Sequence, residues 1–213
     1  MITDKLDLKT EPSNPKYSYP HIGGADDEAG SLETEVGEFL YGLVRMIKPN
    51  HILETGTYHG VSASYMADAL KKNGSGKIIT IEYEPQNQQI ANELFNKLDV
   101  KSYIQTELIS SLDYEPKEQF DLMWLDTEPN IRFQELIKYY PFLKPGGYIF
   151  IHDLHRHMCQ TGFELNGVHN WPFGDLPQQI KDWIKDGELV KWSFGTPRGL
   201  IGFYKPTLED YKP

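Results

Sequence analysis

Short apolar runs alternate with segments of helical period along most of this chain, and no other feature restricts its fold as much. The strand-like runs are "HILETGT" (51–57), "KIITIE" (77–82), "SYIQTELI" (102–109), "FDLMWLD" (120–126) and "GGYIFIHD" (146–153). Ahead of them Ser31 is placed to cap a helix, with Glu33 and Glu35 in its first turn. Leu32, Val36, Phe39, Leu40, Leu43 and Ile47 then trace one face until Pro49. A second helix is expected from Val61 to Lys72, closed by Asn73-Gly74. A third opens at Pro85, and a fourth covers "IRFQELIKYYPFL". Strands that are apolar throughout and joined by helices make a parallel sheet covered on both faces. The ending differs. "LVKWSFG" and "GLIGFYK" are separated only by "TPR", too short for a parallel crossover, so they should form an antiparallel hairpin.

The chain divides into three parts. Residues 1–30 are polar and proline-punctuated, hold no period of 2 or 3.6, and read as an N-terminal arm or lid. Residues 31–205 form one α/β domain, and residues 206–213 are a tail. A further stretch without periodicity runs from Leu154 to about Asp175. Loops of that length within a compact domain are usually functional or disordered.

Composition narrows the function. A formal net charge of −10 and a pI near 5.1 argue against nucleic acid, because phosphate recognition needs concentrated lysine and arginine. The single cysteine, Cys159, rules out an internal disulfide and suits a reducing compartment. No run approaches the ~20 apolar residues of a membrane span. The chain therefore reads as a cytoplasmic protein.

"ILETGTYHGVSASYMADAL" (52–70) is a strand, a glycine turn and a helix. In open α/β sheets the ligand lies outside the carboxyl ends of the strands, so this turn faces the site. A dinucleotide fingerprint would require glycines where Tyr58 and Val61 stand, which makes a pyrophosphate a poor fit. A ligand without phosphates suits the turn better. Glu82 ends the second strand, 22 residues after Gly60, where its carboxylate can accept hydrogen bonds from a ribose diol. Tyr83 beside it can stack on a base.

These segments together resemble the class I S-adenosylmethionine-dependent methyltransferases, in particular the small-molecule O-methyltransferases related to catechol O-methyltransferase. The resemblance covers roughly residues 31–205. It rests on "LETGTYHGVSASYMADAL", "IEYE", "FDLMWLD", "LKPGGYIFIHD" and the closing hairpin. It implies a Rossmann-like, mostly parallel seven-stranded sheet with a C-terminal antiparallel hairpin and helices on both faces. It also implies that Glu54, Gly56, Tyr58, Gly60 and Ser62 line the methionine end of the cofactor and that Glu82 binds the ribose. Ser110 and Ser111 would approach the adenine, and Asp126 would lie beside the reactive methyl group.

Metal-dependent members of that family hold a divalent cation with an aspartate after the fourth strand and an Asp-Asn pair after the fifth. Asp126 and Asp153 match, but Leu154 replaces the asparagine, and Pro129 stands where a lysine is often found. Asp126 and Asp153 are thus candidate metal ligands whose unpaired carboxylates would repel one another unless a cation joined them. His152 or His155 can complete such a shell. Alternatively His155 is a general base in a metal-free site. His152 can instead point into the sheet, and His157 and His169 are weaker candidates. Trp171 can wall the acceptor pocket, while Phe173 more simply pins the loop. The expected activity is methyl transfer to a small molecule at a hydroxyl oxygen. The alternatives are a metal-independent N-methyltransferase or sugar or natural-product methyltransferase, and a non-catalytic S-adenosylmethionine-binding module. The arm, with Tyr17 and Tyr19, is expected to cover the pocket or to mediate oligomer formation.

Overall fold

The computed structural model describes residues 32–153, 176–194 and 198–210. The elements run α1 (Thr34–Ile47), β1 (His51–Thr55), α2 (Val61–Asn73), β2 (Lys77–Glu82), α3 (Pro85–Lys97), β3 (Ile104–Leu108), β4 (Phe120–Leu125), α4 (Arg132–Tyr139), β5 (Leu143–His152), α5 (Gln178–Lys185), β6 (Val190–Phe194) and β7 (Leu200–Tyr204). Seven strands form one sheet in the order β3-β2-β1-β4-β5-β7-β6. The pairs from β3 through β5 are parallel, whereas β7 runs antiparallel to both β5 and β6. The expected fold class is therefore observed, including the closing hairpin. The arm and the loop, with Ser31, Tyr17, Tyr19, His155, His157, His169, Trp171 and Phe173, lie outside the described residues.

The central strands β1, β2, β4 and β5 are apolar on both sides because both sides are covered. Ile52, Ile78, Leu122, Trp124 and Phe150 point toward α1, α2 and α3, where they meet Leu40, Val44, Tyr65, Met66, Leu70 and Phe95. Their neighbours Leu53, Ile79, Met123, Leu125, Ile149 and Ile151 point to the opposite face, against Phe133 and Leu136 of α4 and Ile180 of α5. Strand geometry turns successive side chains to opposite faces, so an unbroken apolar run feeds two cores at once. The edge strand β6 is largely exposed and carries Lys191, a charge that discourages edge-to-edge pairing.

The chain goes outward from β1 to β2 and β3, then crosses back to β4 and β5. The gap between the β1 and β4 carboxyl ends is therefore the topological switch point, where open α/β sheets bind ligands. No described helix is long and apolar enough to cross a membrane.

Candidate active site

The turn after β1 is shaped by its approach to β4. Gly56 has φ +82°, and a Cβ there would lie 2.3 Å from the Asp126 carbonyl oxygen. Only glycine allows both the left-handed backbone and that contact. Gly60 serves a different purpose. Its φ is +83°, and a Cβ would meet the Phe95 ring at 2.6 Å, so this glycine seats α2 against α3. Between them Tyr58 also adopts positive φ, +46°, and its ring stacks on His59 at 3.8 Å.

A cleft of about 350 Å³ opens over this turn. Gly56, Tyr58, Ser62, Glu82, Tyr83, Ser110, Ser111 and Asp126 all line it, together with Asp153. Sequence reasoning did not single out Thr57, Asn87, Ile109, Arg132 or Arg198, which line it as well. Glu82 is 5% exposed. Its carboxylate accepts hydrogen bonds from the backbone N–H groups of Tyr58 (2.7 Å), Tyr83 (3.0 Å) and Glu84 (2.9 Å). The glycine turn and the end of β2 are thus tied together by one acid. Tyr83 is 65% exposed, which leaves its ring available for stacking.

Glu54 sits elsewhere than its motif position suggests. It is fully buried beneath the turn, where Ser62 and Thr80 hydroxyls donate to it at 2.5 Å each. Burial pushes its carboxyl up to about 8; the two hydroxyl donors oppose this, while nearby Asp126 and Glu82 reinforce it. Glu54 therefore holds Ser62 and β2 from below. Glu135 of α4 does similar work on the other face. It is buried, and accepts from Thr127 at 2.8 Å and Thr55 at 3.1 Å. Ser111 is drawn in too, since Tyr139 donates to its carbonyl at 2.5 Å.

At the carboxyl ends of β4 and β5, charges of both signs converge. Asp126 Oδ1 lies 3.1 Å from Arg132 Nη2, and Asp126 Oδ2 lies 3.1 Å from His152 Nδ1. His152 Nε2 meets Glu33 Oε2 at 2.8 Å. Asp153 Oδ2 is 2.5 Å from Arg198 Nη2 and 3.8 Å from Arg132 Nη2. Arg132 also donates from Nε to the Thr127 carbonyl at 2.7 Å. Its Nη1 donates to the carbonyls of His152 and of Asp153, the latter at 3.1 Å. The guanidinium thereby ties off both strand ends.

The network decides protonation. Burial alone would lower His152, but Asp153 and Asp126, with hydrogen bonds to Asp126 and Glu33, carry it up to about 10. It is an imidazolium at neutral pH. Burial likewise opposes ionisation of Asp126 and Glu33, yet both carboxyls fall below their ordinary range. His152 and Arg132 act on Asp126, and His152 and Arg198 act on Glu33. The carboxylates do converge as expected, but they are not unpaired: among the described residues three acids face three cations. His152 does point inward, as one reading of the sequence had it. Glu33, expected in the first helical turn, stands at the N-cap and turns its carboxylate to His152 instead of capping.

One ligand atom each from Asp126, His152 and Asp153 lie within 4.8 Å of one another, close enough for a divalent cation. The donor set does not fit one. Both oxygens of Asp126, Oδ2 of Asp153 and both ring nitrogens of His152 are paired, Asp153 Oδ1 has His152 Nδ1 3.5 Å away, and Arg132 Nη2 lies between the two carboxylates. One signal pointed toward these cations. Arginine is scarce here, four residues against 17 lysines, and Arg132 opens a helix whose dipole disfavours a cation. Arginine is the residue suited to buried pairing with carboxylates.

This strand order, with its cleft at the switch point and an acid ending β2, is the Rossmann-like fold of the S-adenosylmethionine-dependent methyltransferases. Residues 53–154 match a family model described as a methyltransferase domain. A catechol O-methyltransferase from Niastella koreensis is 31% identical over 104 residues, 46% of each chain. A provisionally named O-methyltransferase from Mycobacterium sp. (strain JLS) is 30% identical over 132 residues, 60% of this chain. The chain spans about 59% of the length of that relative. Among solved structures, the O-methyltransferase from Bacillus cereus in complex with SAH superposes with a TM-score of 0.66 at 19% identity. The match covers 83% of this chain and 84% of that one. The SAH-bound methyltransferase PaMTH1 from Podospora anserina gives 0.66 and 19%, over 85% and 82%. At these identities the structural likeness is one of fold.

Proposed function

We propose that the protein transfers a methyl group from S-adenosylmethionine to a hydroxyl oxygen of a small molecule. The observation that carries this reading is Glu82, a buried carboxylate at the end of β2 lining a cleft beside the Gly56 turn. The names of the relatives, catechol O-methyltransferase among them, support oxygen as the acceptor atom. A nucleoside fits the residues present. The cleft volume lies in the range of small-molecule sites, about 300–1,000 Å³. A carboxylate offers about four acceptor positions, and three are taken by backbone N–H groups. Ribose hydroxyls would use the open position and compete with one backbone donor, so the second hydroxyl gains less than the first.

When bound, the cofactor supplies a methyl group already activated on a sulfonium. The chain's residues must then align the acceptor oxygen, exclude water and dispose of its proton. Gly56, Tyr58 and Ser62 are the proposed contacts at the methionine end, Glu82 at the ribose, and Tyr83, Ser110 and Ser111 at the adenine. Glu54 supports Ser62 from below, and Gly60 supports the turn. Asp126 and Asp153 form the polar wall at the acceptor end. His152, held as a cation, cannot take up the acceptor's proton, and Asp126, accepting from two cations, is a weak base. His155 is the proposed general base. The single cysteine and acidic composition favour a cytoplasmic setting, a small-molecule acceptor and no nucleic-acid partner. The arm at 1–30 remains the proposed cover of the pocket or oligomer contact.

Calorimetric titration with S-adenosylmethionine, S-adenosylhomocysteine and NAD tests the cofactor, and a screen of phenolic and aliphatic alcohols with labelled methyl tests the acceptor. Glu82→Ala should weaken cofactor binding by roughly 1.5–3 kcal/mol, one to two decades in Kd. That variant also strips the acceptor from three backbone donors, so Glu82→Gln, which retains one oxygen, separates ligand contact from turn stability. Unchanged affinity in both variants would remove Glu82 from the ribose site.

A further inference from the structure

Two acids and a histidine at the ends of adjacent strands have the spacing of a cation site, with ligand atoms inside 4.8 Å. Carboxylates that close need a positive charge to stay ionised. Here the chain provides it. Arg132 Nη2 lies 3.1 Å from Asp126 and 3.8 Å from Asp153, a place between the two carboxylates that a bridging ion would otherwise take. Arg198 Nη2 holds Asp153 at 2.5 Å, and its Nη1 approaches Glu33 at 3.9 Å. Both arginines are almost fully buried, and both line the cleft.

We infer that Arg132 and Arg198 take the electrostatic place of a divalent cation, so the acceptor end of the cleft is held by guanidinium groups and excludes metal. Three features make the replacement a built one. Arg132 is fixed from the side as well as from the front, by the carbonyls of Thr127, His152 and Asp153. Arg198 arrives by sheet register: β7 pairs with β5 so that His152 faces Leu200, and Arg198, two residues before Leu200, reaches the Asp153 carboxylate. The third cation, His152, is engaged on both ring nitrogens and stacks on Trp124, so it has no nitrogen left for a metal. A divalent ion would have to break these pairs and sit beside two guanidinium groups. Mg²⁺ usually binds one or two carboxylates and keeps its remaining waters, but here three of the four aspartate oxygens are already held by Arg132, His152 and Arg198.

The test reads metal directly, apart from methyl transfer, so its outcome stands whether or not the function proposed above holds. Mn²⁺ is titrated into the full-length protein and the free-ion electron paramagnetic resonance signal is followed. The wild type should leave that signal unchanged up to about 1 mM. Arg198→Met removes one cation from Asp153 and Glu33, and should create a chelator-reversible site at least roughly tenfold tighter. Arg198→Lys retains the charge and should stay silent. Should Arg198→Met prove too unstable, Arg198→Gln keeps a donor to Asp153 without the charge and carries the same comparison. Binding by the wild type that Asp153→Asn abolishes would overturn the inference. So would the absence of any gain in a folded, charge-removed variant, since the arginine would then not be what excludes the ion.

Discussion

Replacing Glu54 by glutamine should remove a pH-dependent loss of stability that the wild type carries. Glu54 is fully buried, and among the described residues the hydroxyls of Ser62 and Thr80 donate to its carboxylate. Its carboxyl ionises near 8 in the fold and near 4.5 in the unfolded chain, chiefly because burial disfavours the charge. Between those values the folded protein holds a proton that the unfolded chain has released. Stability therefore falls as pH rises, by about 1.4 kcal/mol per pH unit while the two states differ by one proton. Over the whole interval the loss is at most about 5 kcal/mol. An amide does not titrate, so whatever constant cost its altered hydrogen bonding brings is the same at each pH. The variant's stability relative to wild type should thus improve by roughly 2–4 kcal/mol between about pH 5 and pH 8. Urea unfolding of both proteins at each pH gives the difference, and titrations of Asp126 or His152 common to both cancel. A difference that stays flat, or that moves against the variant as pH rises, would refute the reasoning and mean Glu54 is ionised at neutral pH.

His152 gives the same direction by a different route: stability again falls as pH rises, here through the loss of a favourable contribution. His152 ionises near 10 in the fold, raised from 6.5, so its contribution is fully present below pH 6.5 and is lost as pH climbs through 10. His152→Gln should cost about 3–5 kcal/mol at neutral pH by leaving Glu33 and Asp126 short of a buried cation, and the gap should close toward pH 10 in chemical denaturation. Gly56→Ala meets both a left-handed backbone and the Asp126 carbonyl at 2.3 Å, and should lose roughly 1–3 kcal/mol from conformation alone, more with the contact. Gly74, at φ +78° with nothing within 4 Å of a built Cβ, is the control: Gly74→Ala should lose only the conformational part, and equal losses in the two variants would show that the β1–β4 approach is not tight.

Much of the fold follows from local pattern. Apolar runs joined by helices can only be buried as a sheet covered on both sides, and the three-residue link "TPR" leaves no room for a parallel crossover. The glycine turn and the acid ending β2 are local as well. Each sits within one strand–turn unit, so their types and spacing already place them at the carboxyl edge. Glu54 shows where local pattern stops. Whether it faces the cleft or the space beneath α2 depends on the side of the sheet that Ser62 and Thr80 occupy, and three elements must pack before that is set. The acceptor end depends still more on assembly. Glu33 enters from the start of α1, Arg132 from α4, His152 and Asp153 from the end of β5, and Arg198 from the lead into β7, with the partners Glu33 and His152 119 positions apart. No periodicity links such positions. Sequence by itself identified two acids able to hold a cation, whereas tertiary structure supplied the cations, because only the packing of α4 on the sheet and the β5–β7 register bring those arginines to those carboxylates.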